Sequence, residues 1–244
     1  MNLDYSRHYA QFHPDAPAHR NGLRLLHQRL LAPHLPADRT AAILDVGCGR
    51  GYAMQDVAAL GYTAVTGIDI DPGQVAYARS QGLDVTRVED TAAHLNARPG
   101  AYAVVLLMDV LEHLPRPAQP ALLQAVARSL RPGGTLVCTV PNAGSAIASF
   151  WLFNDYTHQQ SFTADSLTFL LEQSGLAEVR CAGVEFERRP RFLFWLPTPR
   201  TVAWWLRRLL RCRQRAVYVA ELGWQRGRAV VLTPNLLAVA VKAG

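Results

Sequence analysis

The stretch LDVGCGRG, residues 44–51, is the most informative in this chain of 244 residues. It begins inside an apolar run, AAILDV (41–46), which is typical of a short buried strand. Glycine then recurs at every second position, as Gly47, Gly49 and Gly51. Glycine lets the backbone turn tightly and lets a ligand approach without meeting a Cβ atom. The stretch therefore predicts a strand, a ligand-binding turn and the start of a helix.

The spacing of these glycines separates two kinds of cofactor loop. A glycine-rich turn at a helix N-terminus commonly binds phosphate, and the dinucleotide-binding loop has the spacing G-x-G-x-x-G. Here the spacing is G-x-G-x-G, and Asp45 precedes the first glycine. A carboxylate at that point would repel a pyrophosphate, so the loop argues against a dinucleotide.

Strands and helices alternate along the chain on both sides of this loop. Short apolar runs predict strands, and longer segments with apolar residues at helical spacing predict helices. Strict alternation predicts a parallel sheet wrapped by helices, with its sites at the carboxyl ends of the strands. The expected elements are helices at 18–35, 52–61, 73–82 and 118–134, and strands at 41–46, 63–70, 83–89, 101–110, 135–141 and 230–243.

The composition is that of a globular protein whose positive charge is concentrated in one segment. Half of the residues are hydrophobic, and the formal net charge is +6. Residues 186–228 hold eleven arginines against Glu187 and Glu221, a local balance of +9, so the remainder of the chain is negative. Because the basic character belongs to one segment, the sequence predicts no nucleic-acid partner.

The cysteines and the N-terminus indicate a cytoplasmic location. The four cysteines lie far apart, with no metal-ligand spacing and no disulfide framework. The N-terminal residues contain no apolar signal core, and no apolar run is long enough to span a bilayer. We expect reduced thiols in a cytoplasmic protein.

The glycine loop and the segments after it resemble the class I S-adenosylmethionine-dependent methyltransferases. The matching segments are VTGIDIDP (65–72), RVEDTAAHL (87–95), LLMDVLEHLPRP (106–117) and LRPGGTLVCTVPN (130–142). This resemblance implies S-adenosyl-L-methionine as the cofactor. It also implies a Rossmann-like, seven-stranded, mostly parallel sheet with helices on both faces and an antiparallel last strand.

The resemblance also implies which residues hold the cofactor. The glycine loop approaches its amino acid and ribose parts, and Asp69 accepts hydrogen bonds from the ribose hydroxyls. Asp71, the alternative, precedes Pro72 and is better suited to capping the next helix. Asp90 meets the adenine amino group. The residues expected at the cofactor are Asp45, Gly47, Cys48, Gly49, Gly51, Asp69, Ile70, Asp90, Thr91 and Met108.

The chemistry of methyl transfer points to the segment FNDYTHQQSF (153–162) as the acceptor site. The protein must align an acceptor and remove one proton. Asp155 and His158 follow the fifth strand, where an imidazole beside a carboxylate is a suitable base. Alternatively, the two residues only attach the loop to a helix that begins near Thr163, with Thr163 or Asp165 as its cap.

Two further histidine-bearing segments leave alternatives open. His113, beside Glu112, is a second candidate for the general base, or a structural histidine at the start of a helix. Tyr5, His8, Tyr9 and His13 either form a flap over the cofactor or belong to an amphipathic start. No metal is required, and the sequence presents no compact His/Asp/Glu cluster, so we expect no metal site.

Residues 188–215 break the sheet pattern and predict a basic amphipathic helix from about Thr201. Such a helix fits an anionic membrane surface, a lid packed on the domain by its apolar face, or a grip on a phosphate in the acceptor. Its apolar side holds Val202, Trp205, Leu206, Leu209 and Leu210, and its basic side Arg207, Arg208, Arg211 and Arg215. We expect one domain with an N-terminal flap (1–35), a core (36–187), a basic insertion (188–228) and a last strand (229–244).

The acceptor is expected from a second resemblance. PNAGS (141–145), the segment after it and the basic insertion are similar to methyltransferases of bacterial cell-surface polysaccharide synthesis. That resemblance implies O-methylation of a sugar in a glycan or its precursor, and an enzyme at the inner face of the membrane. The alternatives are a quinone precursor, another small molecule, or a non-catalytic cofactor-binding protein. The oligomeric state is left open.

Overall fold

The structure, a computed structural model, describes residues 16–186 and 198–243. The helices are α1 (Pro17–Leu31), α2 (Tyr52–Ala58), α3 (Pro72–Ser80), α4 (Thr91–Asn96), α5 (Ala118–Ser129), α6 (Ala148–Asn154), α7 (Ala164–Gln173), α8 (Pro199–Leu222) and α9 (Trp224–Ala229). The strands are β1 (Ile43–Val46), β2 (Val65–Asp69), β3 (Val85–Arg87), β4 (Tyr102–Met108), β5 (Leu130–Pro141), β6 (Leu176–Val184) and β7 (Asn235–Lys242). Short 3₁₀ helices follow α1 (Ala32–His34) and β4 (Leu111–His113).

The seven strands form one sheet in the order β3-β2-β1-β4-β5-β7-β6. The first five pair in parallel, whereas β7 runs antiparallel to both β5 and β6. The predicted fold class is therefore confirmed. The strand order reverses between β1 and β4, which is the switch point where open α/β sheets bind their ligands.

Helices cover both faces of the sheet because the central strands are apolar on both sides. In β4, Val105 and Leu107 pack with α4, α5 and α7, while Val104 and Leu106 face α1 and α2. A smaller cluster joins α2 and α3 to the edge of the sheet. This arrangement leaves the carboxyl ends of the strands as the edge at which loops meet.

The boundary between α5 and β5 differs from the sequence expectation. The helix expected at 118–134 ends at Ser129, and β5 begins at Leu130, which is fully buried and pairs with Tyr102. The turn expected from the Pro-Gly sequence lies inside this strand, where Gly133 has a φ of +70°. Burial of Leu130 therefore outweighs the helical pattern that continues past it.

Helix α1 is anchored to α2 by a buried carboxylate. Arg20 donates two hydrogen bonds to Asp56, of 2.9 and 2.6 Å, and His27 Nδ1 lies 2.7 Å from Asp56 Oδ2. Burial opposes ionisation of Asp56, but His27 and Arg20 outweigh it, so its pKa lies below the ordinary value. This anchor holds α1 beside the glycine loop. The predicted flap residues Tyr5, His8, Tyr9 and His13 lie outside the described residues, as do residues 188–197 of the basic segment.

Candidate functional site

The glycine loop between β1 and α2 depends on positive φ angles. Gly47 and Gly51 have φ angles of +68° and +75°, which L side chains rarely adopt. A Cβ atom would lie 2.7 Å from a methyl carbon of Val110 at Gly47, and 2.2 Å from a methyl carbon of Leu83 at Gly51. Larger residues at either position would therefore displace the loop.

Asp69, the last residue of β2, is held by two backbone amides. Gly49 N donates to its Oδ2 and Asp71 N to its Oδ1, each at 2.8 Å. Asp71, the alternative candidate for the ribose ligand, caps α3 by accepting a hydrogen bond from Gln74 N. This is the capping role that the sequence predicted for it. Burial raises the pKa of Asp69, and the two amides partly offset this effect.

A cavity of about 590 Å³ opens at the carboxyl ends of β1, β2, β4 and β5. Among the residues that the structure describes, its lining contains no lysine or arginine. A cavity lined by carboxyl groups and no basic side chain, next to a glycine loop, favours a cationic ligand over a pyrophosphate. Five carboxyl groups line it, those of Asp45, Asp69, Asp109, Glu112 and Asp155.

Asp45 shows most directly that this cavity suits a cation. It is buried, and its Oδ1 has no hydrogen-bond partner in the structure. Burial, together with the charge of Asp69, raises its pKa to about 8. A positively charged group beside it would favour the ionised form. The sulfonium and amino groups of S-adenosylmethionine carry positive charge, so the donor set fits this cofactor.

The structure brings most of the predicted cofactor residues together, but not all of them. Asp90 lies on the surface and caps α4 by accepting a hydrogen bond from Ala93 N at 2.9 Å. Ile70 is exposed, Thr91 begins α4, and Gly51 precedes α2. Their roles as cofactor ligands stay predictions. The predicted residues that line the cavity are Asp45, Gly47, Cys48, Gly49, Asp69 and Met108.

The three predicted catalytic residues, His113, Asp155 and His158, line the same cavity. Thr157 Oγ1 donates to Asp155 Oδ1 at 2.6 Å and lies 2.7 Å from His113 Nδ1. Because the threonine hydroxyl has one hydrogen, His113 Nδ1 is the donor to it. Burial opposes ionisation of Asp155, but the Thr157 hydrogen bonds and the two histidines hold its pKa below the ordinary value.

His158 is held by a backbone carbonyl and lies near a carboxylate. Its Nδ1 lies 3.0 Å from the carbonyl oxygen of Trp151, and its Nε2 lies 3.8 Å from Asp155 Oδ2. A carbonyl only accepts hydrogen bonds, so Nδ1 carries the hydrogen and Nε2 of the neutral ring has the lone pair. The ring also packs edge-on against His113, with 4.7 Å between the centroids. Asp155 and His158 thus both anchor the loop and line the cavity.

The expectation that the chain has no compact cluster of metal-binding side chains is wrong, because Glu112 forms such a cluster with two histidines. Ligand atoms of Glu112, His113 and His158 all lie within 4.8 Å of one another, a grouping able to hold a metal ion. Sequence spacing hid this cluster because His158 is 45 positions from His113. Glu112 is fully buried without a partner for either carboxyl oxygen. Burial, with Asp109 and Asp155 nearby, raises its pKa well above the ordinary value.

Sequence reasoning missed several residues of the cavity. Asp109 lies next to the predicted Met108 and has a φ of +54°, a strained conformation of the kind that clusters at functional sites. Asn235, from the start of β7, donates to Asp109 Oδ1 at 3.3 Å. Trp151 and Phe186 add aromatic surface. Only Asp109 carried a signal in the sequence, because it lies within the MDVLEH segment.

Comparison with known proteins agrees with this geometry. A family model described as "Methyltransferase domain" matches residues 17–180, which is more than half of the chain. The chain belongs to this methyltransferase family. Membership confirms the predicted class of enzyme and supports the predicted cofactor, S-adenosylmethionine.

Two relatives of this methyltransferase are named ubiquinone biosynthesis O-methyltransferases. The one from Xanthomonas oryzae is 41% identical over 110 residues, covering 42% of this chain and 44% of the relative. The one from Dinoroseobacter shibae is 35% identical over 159 residues, covering 59% and 63%. The chain thus matches less than two thirds of the length of either relative.

Solved structures share the fold of this methyltransferase at low sequence identity. A methyltransferase dependent on S-adenosylmethionine, from Archaeoglobus fulgidus, has a TM-score of 0.70 and 18% identity, covering 98% of this chain and all of that chain. A phosphoethanolamine N-methyltransferase from Haemonchus contortus, in complex with S-adenosyl-L-methionine, has a TM-score of 0.59 and 16% identity. It is matched over 100% of this chain and 61% of that chain.

Proposed function

We propose that this methyltransferase methylates an aromatic hydroxyl of a quinone precursor, with His158 as the general base. The observation that carries the proposal is the orientation of the His158 ring. Its Nδ1 is 3.0 Å from the Trp151 carbonyl oxygen, which leaves the lone pair on Nε2, in the same cavity as the glycine loop and Asp69. A neutral imidazole held in this way accepts a proton at Nε2.

The residues around His158 support proton removal during the transfer. When bound, S-adenosylmethionine supplies a methyl group that is already electrophilic. The acceptor hydroxyl gives its proton to His158 Nε2 as its oxygen takes up the methyl group. The Asp155 carboxylate, 3.8 Å from Nε2, then stabilises the imidazolium. Because the pKa of Asp155 is below its ordinary value, this carboxylate is ionised at neutral pH.

An aromatic hydroxyl suits this base better than a sugar hydroxyl does. A phenol, such as that of tyrosine, has a pKa of about 10. A sugar hydroxyl is a far weaker acid, so imidazole is less well matched to it. Trp151 and Phe186 also provide flat apolar surface in the cavity.

The names of the relatives support the same choice of acceptor. Both act, by name, as O-methyltransferases of ubiquinone biosynthesis. They favour the quinone-precursor alternative over the glycan sugar that the sequence resemblance suggested first. O-methylation of a glycan stays a prediction.

A panel of acceptors tests this proposal. We would incubate the protein with S-adenosylmethionine and catechols, with and without an isoprenoid side chain, alongside nucleotide sugars and lipid-linked glycans. Mass spectrometry of the products should show a gain of one methyl group on the catechols. Methylation of a sugar with no product from any catechol would contradict the proposed acceptor.

A further inference from the structure

Helix α8 presents an apolar stripe to the outside of the molecule. Val202, Leu206, Leu209 and Val217 lie three, four or eight positions apart, which places them on one face of the helix. Their exposed fractions are between 44% and 66%, and only Thr201 of the whole helix is buried. A stripe of large apolar side chains this exposed usually marks an interaction site.

The opposite face of α8 attaches the helix to the domain through polar groups. Arg211 forms an ion pair with Glu185, and Arg215 Nη1 donates to the carbonyl oxygens of Gly227 and Val230, at 2.7 and 2.5 Å. This orientation is the reverse of the lid considered in the sequence, in which apolar residues would pack inward and arginines would be solvated. Within the part of the chain that the structure describes, the apolar stripe stays exposed, so it is available to a partner.

Charge indicates what covers the stripe. Residues 198–230 carry eight arginines and one acidic residue, Glu221, a balance of +7. A second copy of the chain would bring two such segments together, and they would repel each other. A nucleic acid would satisfy the arginines but would leave the apolar stripe in water. An anionic lipid surface suits both the net positive charge of this segment and the exposed stripe, because it offers negative headgroups above an apolar layer.

We propose that α8 lies in the surface of an anionic lipid bilayer, with its apolar stripe among the acyl chains. Arg213 lies on the same face, and its long apolar stem lets the guanidinium group reach the headgroups. Trp205, at the edge of the stripe, is half exposed and suits the interface. The 24-residue helix would extend about 36 Å along the surface. No helix among the described residues is long and apolar enough to cross the membrane.

The same attachment would bring the end of the cavity that holds His158, the proposed acceptor end, towards the lipid. Gln214 Nε2 donates to the carbonyl oxygen of Gly144 at 2.8 Å, in the loop that follows β5. Pro141, at the end of β5, lines the cavity, and the next helix, α6, exposes Phe150 and Phe153. The inference rests on α8 and its charge, so it holds or fails separately from the proposed acceptor.

Vesicle flotation with the full chain tests this surface. We expect the protein to float with vesicles of phosphatidylglycerol and phosphatidylcholine, but not with phosphatidylcholine alone, and to dissociate as salt is raised. The double variant Leu206→Glu/Leu209→Glu should bind at least tenfold more weakly. Leu25→Glu on α1 is the matched control, since Leu25 is similarly exposed at 46%, and it should bind like the wild type.

Three results would overturn the inference. The wild type could fail to float at low salt, or the double glutamate variant could bind anionic vesicles as well as the wild type does. Sedimentation could instead show a dimer that the double variant abolishes, which would identify a second copy as the partner. Circular dichroism and S-adenosylmethionine binding confirm that each variant is folded, and exposed positions should tolerate the changes.

Discussion

The proposed cofactor end and the proposed acceptor end of the cavity hold their polar groups in different ways. At the cofactor end, the amides of Gly49 and Asp71 fix Asp69, and all three residues lie within 23 positions of one another. At the acceptor end, His113 reaches Asp155 through Thr157, which is 44 positions away in the chain. The first arrangement is built by backbone amides within one strand-helix-strand unit, and the second by side chains from two separate loops. The two ends should therefore respond separately to mutation.

The largest effect on cofactor binding is expected for Asp69→Asn. The change removes the negative charge and one of the two acceptor oxygens of the side chain. Two backbone amides donate to these oxygens, and the cofactor is expected to do so as well. Hydrogen bonds to charged groups contribute about 1.5–3 kcal/mol, so the affinity for S-adenosylmethionine should fall about 10- to 100-fold. Calorimetric titration measures the loss.

The control for this variant is Asp38→Asn. Asp38 is an exposed carboxylate that accepts hydrogen bonds from Thr40, outside the cavity. It should bind the cofactor like the wild type. Equal losses in both variants would mean that the effect is not specific to the cofactor end.

The pH dependence of cofactor binding tests Asp45. Burial and Asp69 raise its pKa to about 8 in the ligand-free protein, and a bound cation favours its ionised form. Below pH 8, binding must therefore release a proton, so affinity should rise with pH up to 8, by at most about tenfold per unit. Titration between pH 6 and 9 measures this slope.

Asp45→Asn provides the comparison, because any titration of the cofactor itself is common to both proteins. The variant should show a flatter slope than the wild type. The free energy of unfolding of the ligand-free wild type also depends on the protonation of Asp45. The raised pKa means that its contribution is fully present below the ordinary value of 3.8 and is lost as pH rises through about 8. Identical slopes for variant and wild type would remove Asp45 from the cofactor end.

A smaller effect is expected for Thr157→Val at the acceptor end. Valine keeps the shape but removes the hydroxyl between His113 and Asp155. We expect kcat to fall about tenfold, as for the loss of one or two hydrogen bonds, with cofactor affinity unchanged. Steady-state kinetics measures kcat, and calorimetry measures the affinity for S-adenosylmethionine.

Thr168→Val is the matched control, because the Thr168 hydroxyl contacts Cys181 on the far side of α7. It should leave kcat unchanged. A loss of cofactor affinity in Thr157→Val would break the separation between the two ends.

The same contrast explains how much could be predicted from sequence. The strands of the parallel sheet, the glycine loop and Asp69 could be predicted from contiguous sequence patterns, because each depends on nearby residues. The cluster of Glu112, His113 and His158 arises only when two distant loops meet. The orientation of α8 was also beyond sequence, because the direction of its arginines depends on Glu185 and on carbonyl groups of Gly227 and Val230. Strand β6 has only two buried residues, at its two ends, so its apolar pattern was weak.

The most direct test of His158 as the general base is the His158→Ala variant, assayed with the best catechol acceptor. Loss of a positioned base should lower kcat by about 10²–10⁴-fold, and cofactor affinity should match the wild type because His158 lies at the acceptor end. His94→Ala, on α4 outside the cavity, should keep full activity. Full turnover by His158→Ala would contradict the assignment.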